Sequence, residues 1–178
     1  MNKIEVGDKT FELFLSEENI SKRIRLIGLQ LSLDYENRCP LFIGVLNGSF
    51  MFLSDLLKEI DLSCEIAFIK VASYAGTESL GEVKELFGIS EDLIGRDIIL
   101  VEDIVDTGLT LKFILEKVYQ QQPASVSVCT LLHKPAALKH PIDELDYVGF
   151  DIPNDFVVGY GLDYDGLGRN LKDVYRAI

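Results

Sequence analysis

Apolar positions along the chain fall into two periods. Between Ser16 and Leu33, the residues Ile20, Ile24, Ile27 and Leu31 recur at the spacing of one helix face. Ser16 stands where an N-cap hydroxyl belongs, and Glu17 and Glu18 suit the positive end of the helix dipole. Leu41 to Leu46, LFIGVL, is an unbroken apolar run after Pro40 and predicts a buried strand. Asn47-Gly48 ends it, and Phe50 to Ile60 predicts a second helix. Glu65 to Ser73 predicts the next strand. Tyr74 to Gly81, polar and with two glycines, predicts a mobile loop. Val83 to Phe87 predicts a short strand and Ile98 to Val101 a continuous apolar one. Leu111, Ile114, Leu115 and Val118 form a helical stripe that stops before Pro123, and Ser125 to Leu132 is a β-branched strand.

Strands alternating with helices imply an α/β fold, a parallel sheet with helices on both faces. The pattern changes after Lys139. Tyr147 to Tyr160, YVGFDIPNDFVVGY, is aromatic and β-rich, and predicts a small lobe completed by Ile4 to Leu15. The expected organisation is one domain over 1–178, with a core over about 16–138 and a hood from about 1–15 and 139–178.

Composition adds limits. The chain of 178 residues is long enough to bury a core without disulfides or metals. Its cysteines, Cys39, Cys64 and Cys129, fit no zinc spacing and read as incidental thiols of a reducing compartment. No apolar run reaches the roughly 20 residues that span a bilayer, and the first residues carry scattered charges rather than a signal core. A cytoplasmic location with no membrane partner is expected. The net charge of −12 argues against nucleic acid as a partner. Most of that charge serves solubility, yet an acidic chain that binds polyphosphate must offset repulsion locally, through helix N-termini and a divalent cation.

The chemistry concentrates in Ile98 to Leu111, IILVEDIVDTGLTL. An apolar strand runs into Glu102, Asp103 and Asp106, and then Thr107, Gly108 and Thr110 lead into a helix. Ligands of open parallel sheets sit beyond the carboxyl ends of strands. Unpaired amides at a helix start bind phosphate, and Gly108 permits close backbone approach. Ionised Glu102 and Asp103 only accept hydrogen bonds, so they suit vicinal ribose hydroxyls and attract hydrated Mg²⁺. From composition alone, a solvated strand-end turn is equally open. No G-x-x-x-x-G-K-[ST] occurs, and Gly159-Tyr160-Gly161 and Gly166-Leu167-Gly168 lack the third dinucleotide glycine, so these read as turns.

VEDIVDTGLTL resembles the phosphoribosyl pyrophosphate signature of the type I phosphoribosyltransferases. With VLNGSFMF at 45–52, SYAGTESLGEV at 73–83, LLHKP, and DFVVGYGLDYDGLGRNL in the same order, the chain is similar to the hypoxanthine(-guanine) phosphoribosyltransferases from about Leu41 onward. The resemblance implies a parallel α/β core with a small hood over the base. It implies transfer of a 5-phosphoribosyl group from phosphoribosyl pyrophosphate to N9 of hypoxanthine or guanine, giving IMP or GMP plus pyrophosphate. It makes Glu102 and Asp103 ribose and metal ligands, and Asp106 the acid/base group at purine N7. Asp106, Thr107, Gly108, Leu109 and Thr110 become the 5′-phosphate loop. Lys134 would face the 6-oxo group; lysine only donates, which disfavours the amino group of adenine. Phe156 would stack on the purine, Val157 would read its edge through the backbone, Asp163 would hold a second metal beside the base, and Arg169 would meet pyrophosphate. Leu46, Asn47 and Gly48 match the pyrophosphate loop, which carries a cis peptide in the family. Asn47 stands where the family often has lysine. Ser73 and Tyr74 open the segment that closes over the reaction. Mg²⁺ is the implied cofactor, and a homodimer or homotetramer the implied assembly.

Read without the family, Lys134 is a surface lysine after a strand, and Phe156 divides between stacking and the core of the small lobe. Two other functions remain open at this level. One is an effector-binding regulator on the same fold, opposed by the lack of a basic face and by the presence of Asp106 and Lys134. The other is a preference for xanthine.

Overall fold

The computed structural model describes residues 3–76, 79–89 and 91–178, with backbone alone over 72–76 and 79–87. The first segment pairs β1 (Lys3–Val6) with β2 (Lys9–Leu15) as a hairpin. Helix α1 (Glu17–Asp34) follows, and the Ser16 hydroxyl accepts from the Asn19 amide at 3.3 Å. The central strands are β3 (Leu41–Leu46), β4 (Glu65–Gly76), β5 (Ser79–Phe87), β6 (Asp97–Val105), β7 (Ser125–His133) and β8 (Leu145–Asp151). Helix α2 (Phe50–Lys58) follows β3, and α3 (Leu109–Gln120) follows β6. The chain ends with β9 (Val157–Val158) and β10 (Val174–Ala177).

The six central strands lie in the order β5-β4-β3-β6-β7-β8. Five run parallel, and β5 returns antiparallel along β4. Ile20, Ile24, Ile27 and Leu31 of α1 pack with Phe52 and Leu56 of α2 over one sheet face, against Phe42, Ile99 and Leu131. Leu111, Ile114, Leu115 and Val118 of α3 cover the other face, against Ile43, Leu100 and Val128. Each such side chain contributes roughly 1.5–3 kcal/mol of burial. A second sheet, β1-β2-β10-β9, forms the hood around Val6, Phe11, Val158 and Tyr175.

Three expectations change. Leu145–Asp151 belongs to the central sheet, parallel to β7, so of the segment after Lys139 only β9 and β10 join the hood sheet. Sequence missed this because no helix precedes β8; an irregular link makes the crossover. Tyr74 to Gly76 and Ser79 to Gly81 form the antiparallel β4–β5 pair rather than a loop, because ladder bonds engage polar residues as well as apolar ones. The backbone of Ser73 and Tyr74 lies in β4, while their side chains lie outside the described residues. Strand β6 continues to Val105, since Ile104 and Val105 still pair with Leu132 and His133 of β7.

Candidate active site

Sheet order decides where a ligand fits. From β3 the chain moves outward to β4, and from β6 it moves to β7 on the other side, so the β3–β6 boundary is the topological switch point. The ladder between them ends at Gly44–Val101, short of both carboxyl ends. The turn after β3 contains the cis peptide Leu46–Asn47. Gly48 is buried directly against Asp103; a Cβ on it would fall 1.6 Å from the Asp103 Oδ2. A larger residue there would have to displace the Asp103 carboxylate.

Consecutive strand residues point to opposite faces, and this splits the acidic pair. Glu102 lines a cavity of ≈ 320 Å³ with Asp106, Thr107, Gly108, Leu109 and Thr110. Asp103 lines a second, of ≈ 260 Å³, with Asp106, Lys134, Phe156, Val157 and Asp163. Asp106 borders both.

In the first cavity, Gly108 adopts φ 81° as the N-cap of α3, a left-handed turn suited to glycine. The amides of Gly108, Thr110 and Leu111 meet no acceptor among the described residues, while the Leu109 amide donates to the Thr107 hydroxyl at 3.4 Å. The Thr107 carbonyl accepts from the amides of Lys139 and His140, each at 3.0 Å, which clasps the loop from outside. The result is a ring of free donors at a helix start, a phosphate cradle.

Glu102 is 8% exposed, its Oε2 has no partner, and burial, with Asp103 adjacent, pushes its carboxyl well above the usual range. Burial also raises the Asp103 carboxyl to about 6, against the lowering by the Ile104 amide at 3.0 Å and by Arg169. The orphaned Glu102 Oε2 is suited to a hydroxyl donor or a hard cation.

In the second cavity, the Lys134 ammonium, 6% exposed, donates to the Asp106 Oδ2 at 3.2 Å. Phe156 is 46% exposed, and its ring lies 6.2 Å from Phe11 and 5.8 Å, edge-on, from Tyr164. The Lys9 ammonium sits 5.3 Å from the Phe156 ring centre and 4.5 Å from that of Tyr164. Asp163 pairs with the Arg169 Nη2 at 2.6 Å and accepts from the Gly166 amide at 2.7 Å. Arg169 Nη1 donates to the Gly161 carbonyl at 2.7 Å. Gly161 in turn presses on the Gly48 carbonyl, where a Cβ would lie 2.0 Å away. The hood and the turn after β3 are thereby in contact.

Of the residues singled out in sequence, Glu102, Asp103, Asp106 to Thr110, Lys134, Phe156, Val157 and Asp163 line the two cavities. Leu46, Asn47, Gly48 and Arg169 line neither, although Gly48 abuts Asp103 and Arg169 pairs with Asp163. Glu102, Asp103 and Asp163 do not gather into one metal cluster; no group of three potential ligands occurs among the described residues. Sequence reasoning missed Lys9, Phe11 and Tyr164, which brace Phe156, and the clasp by Lys139 and His140. Lone residues distant in sequence carry no local signal of such contact. No helix among the described residues is long and apolar enough to cross a membrane.

Comparison with known proteins agrees with this geometry. The profile of the family described as phosphoribosyl transferase domain matches residues 13–165. A hypoxanthine-guanine phosphoribosyltransferase of Streptococcus agalactiae is 47% identical over 164 residues, covering 92% of this chain and 91% of that protein. The bifunctional protein TilS/HprT of Listeria innocua is 45% identical over 161 residues, covering 90% of this chain; the chain spans only 25% of the length of that relative. A hypoxanthine phosphoribosyltransferase from Staphylococcus aureus superposes with a TM-score of 0.89 at 42% identity, covering 94% of this chain and 91% of that one. The chain belongs to the phosphoribosyltransferase family.

Proposed function

We propose that this chain is a purine-salvage enzyme that transfers the 5-phosphoribosyl group from phosphoribosyl pyrophosphate to N9 of hypoxanthine or guanine, yielding IMP or GMP and pyrophosphate. The observation that carries the reading is Asp106, which borders both the phosphate cradle and the aromatic cavity and is held there by Lys134.

The 5′-phosphate rests on the free amides around Gly108, with Thr107 and Thr110 adding hydroxyls. Ribose hydroxyls donate to Glu102 and Asp103, which supplies the partner that the Glu102 Oε2 lacks. The purine lies on the exposed face of Phe156, with its edge along the Val157 backbone. Of the three ammonium protons on Lys134, one is engaged by Asp106, and the others are free for the 6-oxo oxygen. As N9 bonds to C1′, the imidazole N7 proton becomes acidic and passes to or is shared with Asp106. Pyrophosphate leaves toward the turn at Asn47–Gly48. Arg169 reaches it with the guanidinium hydrogens that Asp163 and Gly161 leave unused. Asn47 contributes backbone rather than charge.

Carboxylate oxygens on Glu102, Asp103 and Asp163 fit Mg²⁺, which takes one or two carboxylates with substrate phosphates and water. Bound there, Mg²⁺ would neutralise the charge developing on the departing pyrophosphate. The backbone of Ser73 and Tyr74 belongs to the β4–β5 pair that would cover the site and exclude water. The enzyme acts as a cytoplasmic homodimer or homotetramer.

A spectrophotometric assay with phosphoribosyl pyrophosphate, Mg²⁺ and each purine in turn tests the proposal. Turnover of hypoxanthine and guanine but not adenine is expected. Tight sugar-phosphate binding with no turnover of any base would make the chain an effector-binding module instead.

A further inference from the structure

Tyr160 crosses from the hood into the central core. It is 3% exposed, and it belongs to the apolar cluster of α1 and α2 rather than to that of the hood. Its backbone has φ 51°, between Gly159 at 101° and Gly161 at 99°. A left-handed backbone costs a tyrosine energy that it does not cost the flanking glycines, so contacts on both sides must hold it. On the hood side the Tyr160 amide donates to the Leu171 carbonyl, and the Gly161 amide to the Arg169 carbonyl, each at 2.9 Å. On the core side the Tyr160 hydroxyl donates to the Asp55 Oδ2 at 2.5 Å.

Burial explains a ring here but not a hydroxyl, since phenylalanine fills the same space. The partner of that hydroxyl explains it. Helix α2 begins directly after the turn that follows β3, and its N-cap Ser49 ties the two together by donating to the Val45 carbonyl at 2.7 Å. Asp55, on α2, is thus fixed relative to Gly48. Tyr160 is fixed relative to Gly161, which abuts the Gly48 carbonyl, and to Arg169, whose Nη1 donates to the Gly161 carbonyl at 2.7 Å. The hydrogen bond to Asp55 therefore closes a ring of contacts around the turn and Arg169. Lys58 engages the other Asp55 oxygen at 2.7 Å and leaves Oδ2 to the tyrosine. Burial, and then the Asp55 carboxylate, push the Tyr160 hydroxyl above the usual phenol range, so it stays a donor.

We propose that Tyr160 and Asp55 are positioning residues, whose hydrogen bond sets the distance between Arg169 and the turn at Gly48 and so the fit of pyrophosphate between them. The proposal rests on the catalytic reading for its ligand. Neither side chain lines the two site cavities, so both act through Gly161, Gly48 and Arg169.

Isothermal titration of the full chain with magnesium pyrophosphate tests it. GMP, which carries no pyrophosphate, is the control ligand, and thermal melting checks folding. Tyr160→Phe keeps the ring and removes the hydroxyl. It is expected to raise the Kd for magnesium pyrophosphate about tenfold, the order that one hydrogen bond to a charged group contributes, and to leave GMP affinity nearly unchanged. Asp55→Ala should do the same, and Asp55→Asn, whose carbonyl oxygen still accepts, should recover most of the loss. The Tyr160→Phe, Asp55→Ala double variant should bind no more weakly than either single one, because both remove the same bond. The Asp55 side chain is 41% exposed, so its variants decide the matter if Tyr160→Phe fails to fold. Wild-type pyrophosphate affinity in Tyr160→Phe or Asp55→Ala, an equal loss for GMP, or additive losses in the double variant would each overturn the proposal. So would a wild type that binds no pyrophosphate. A wild type that binds it but turns over no purine would end the salvage reading alone, and the same titrations would still uphold or refute the pair.

Discussion

The Lys134 ammonium and the Asp106 carboxylate meet at 3.2 Å across the carboxyl ends of β7 and β6, and both line the cavity beside Phe156. Lys134 is buried and Asp106 exposed, so the pair is a donor fixed in the wall and an acceptor left open to ligand. If Asp106 handles the N7 proton, Asp106→Asn keeps the shape and removes the base. We expect kcat to fall by about 10²–10⁴-fold with a smaller change in KM. Wild-type turnover in steady-state assays would refute the assignment. Lys134→Met should reduce kcat/KM for 6-oxopurines far more than it alters binding of phosphoribosyl pyrophosphate.

Ionised Asp103 costs the empty protein stability. Its carboxyl titrates at about 6 in the folded chain against an ordinary 3.8, so the native state binds the proton more tightly than the unfolded chain. Native stability from this group is therefore fullest at pH below the ordinary value, and falls as pH rises through about 6. Asp103→Asn should stabilise the ligand-free protein at pH 8 by roughly 1–2 kcal/mol, after allowance for solvent at the cavity rim, and give almost nothing at pH 4. Urea melts at the two pH values measure the difference, and an equal effect at both would remove the burial argument.

Gly161 joins the hood to the turn after β3 at a backbone φ of 99°, with the Gly48 carbonyl where a Cβ would sit. Gly161→Ala adds both strain and a clash, so a loss of about 1–3 kcal/mol is expected in thermal unfolding. The apparent KM for phosphoribosyl pyrophosphate should rise with it. A variant that melts and binds as wild type would show that the two segments are not coupled.

Phe156 is braced by Phe11, Tyr164 and Lys9, so its exposed ring is held as a platform. Stacking on such a ring contributes about 1–3 kcal/mol per base, and Phe156→Ala should weaken purine binding by roughly 5- to 150-fold. Lys9→Met should show a smaller loss of the same kind. Fluorescence titration with guanine reads both, and an effect confined to kcat would contradict stacking.

Thr110 opens α3 at the cradle. If its hydroxyl holds the 5′-phosphate, which does not react, Thr110→Ala should raise the KM for phosphoribosyl pyrophosphate severalfold and leave kcat nearly intact.

Much of this site is readable in the chain itself because its pieces are local. Residues 102–110 hold the acids, the glycine and the helix start within one turn of backbone, and their order alone implies a cradle. The Ser16 cap and the stripe from Ile20 to Leu31 were equally plain, since helix contacts lie three and four residues apart. Leu145–Asp151 was not. Its mixed pattern resembles a hood strand, and only pairing with β7 shows where it belongs.

The sequence by itself determined the helices and the buried core strands, and singled out the short runs proposed to carry phosphate-binding and acid–base chemistry, because periodicity and adjacency are properties of a linear chain. Only the tertiary structure decided that Glu102 and Asp103 face different cavities, that Gly48 seats against Asp103 and Gly161, and that Lys9 caps Phe156. Those relations depend on strand order and packing between residues far apart in the chain, which no local pattern records.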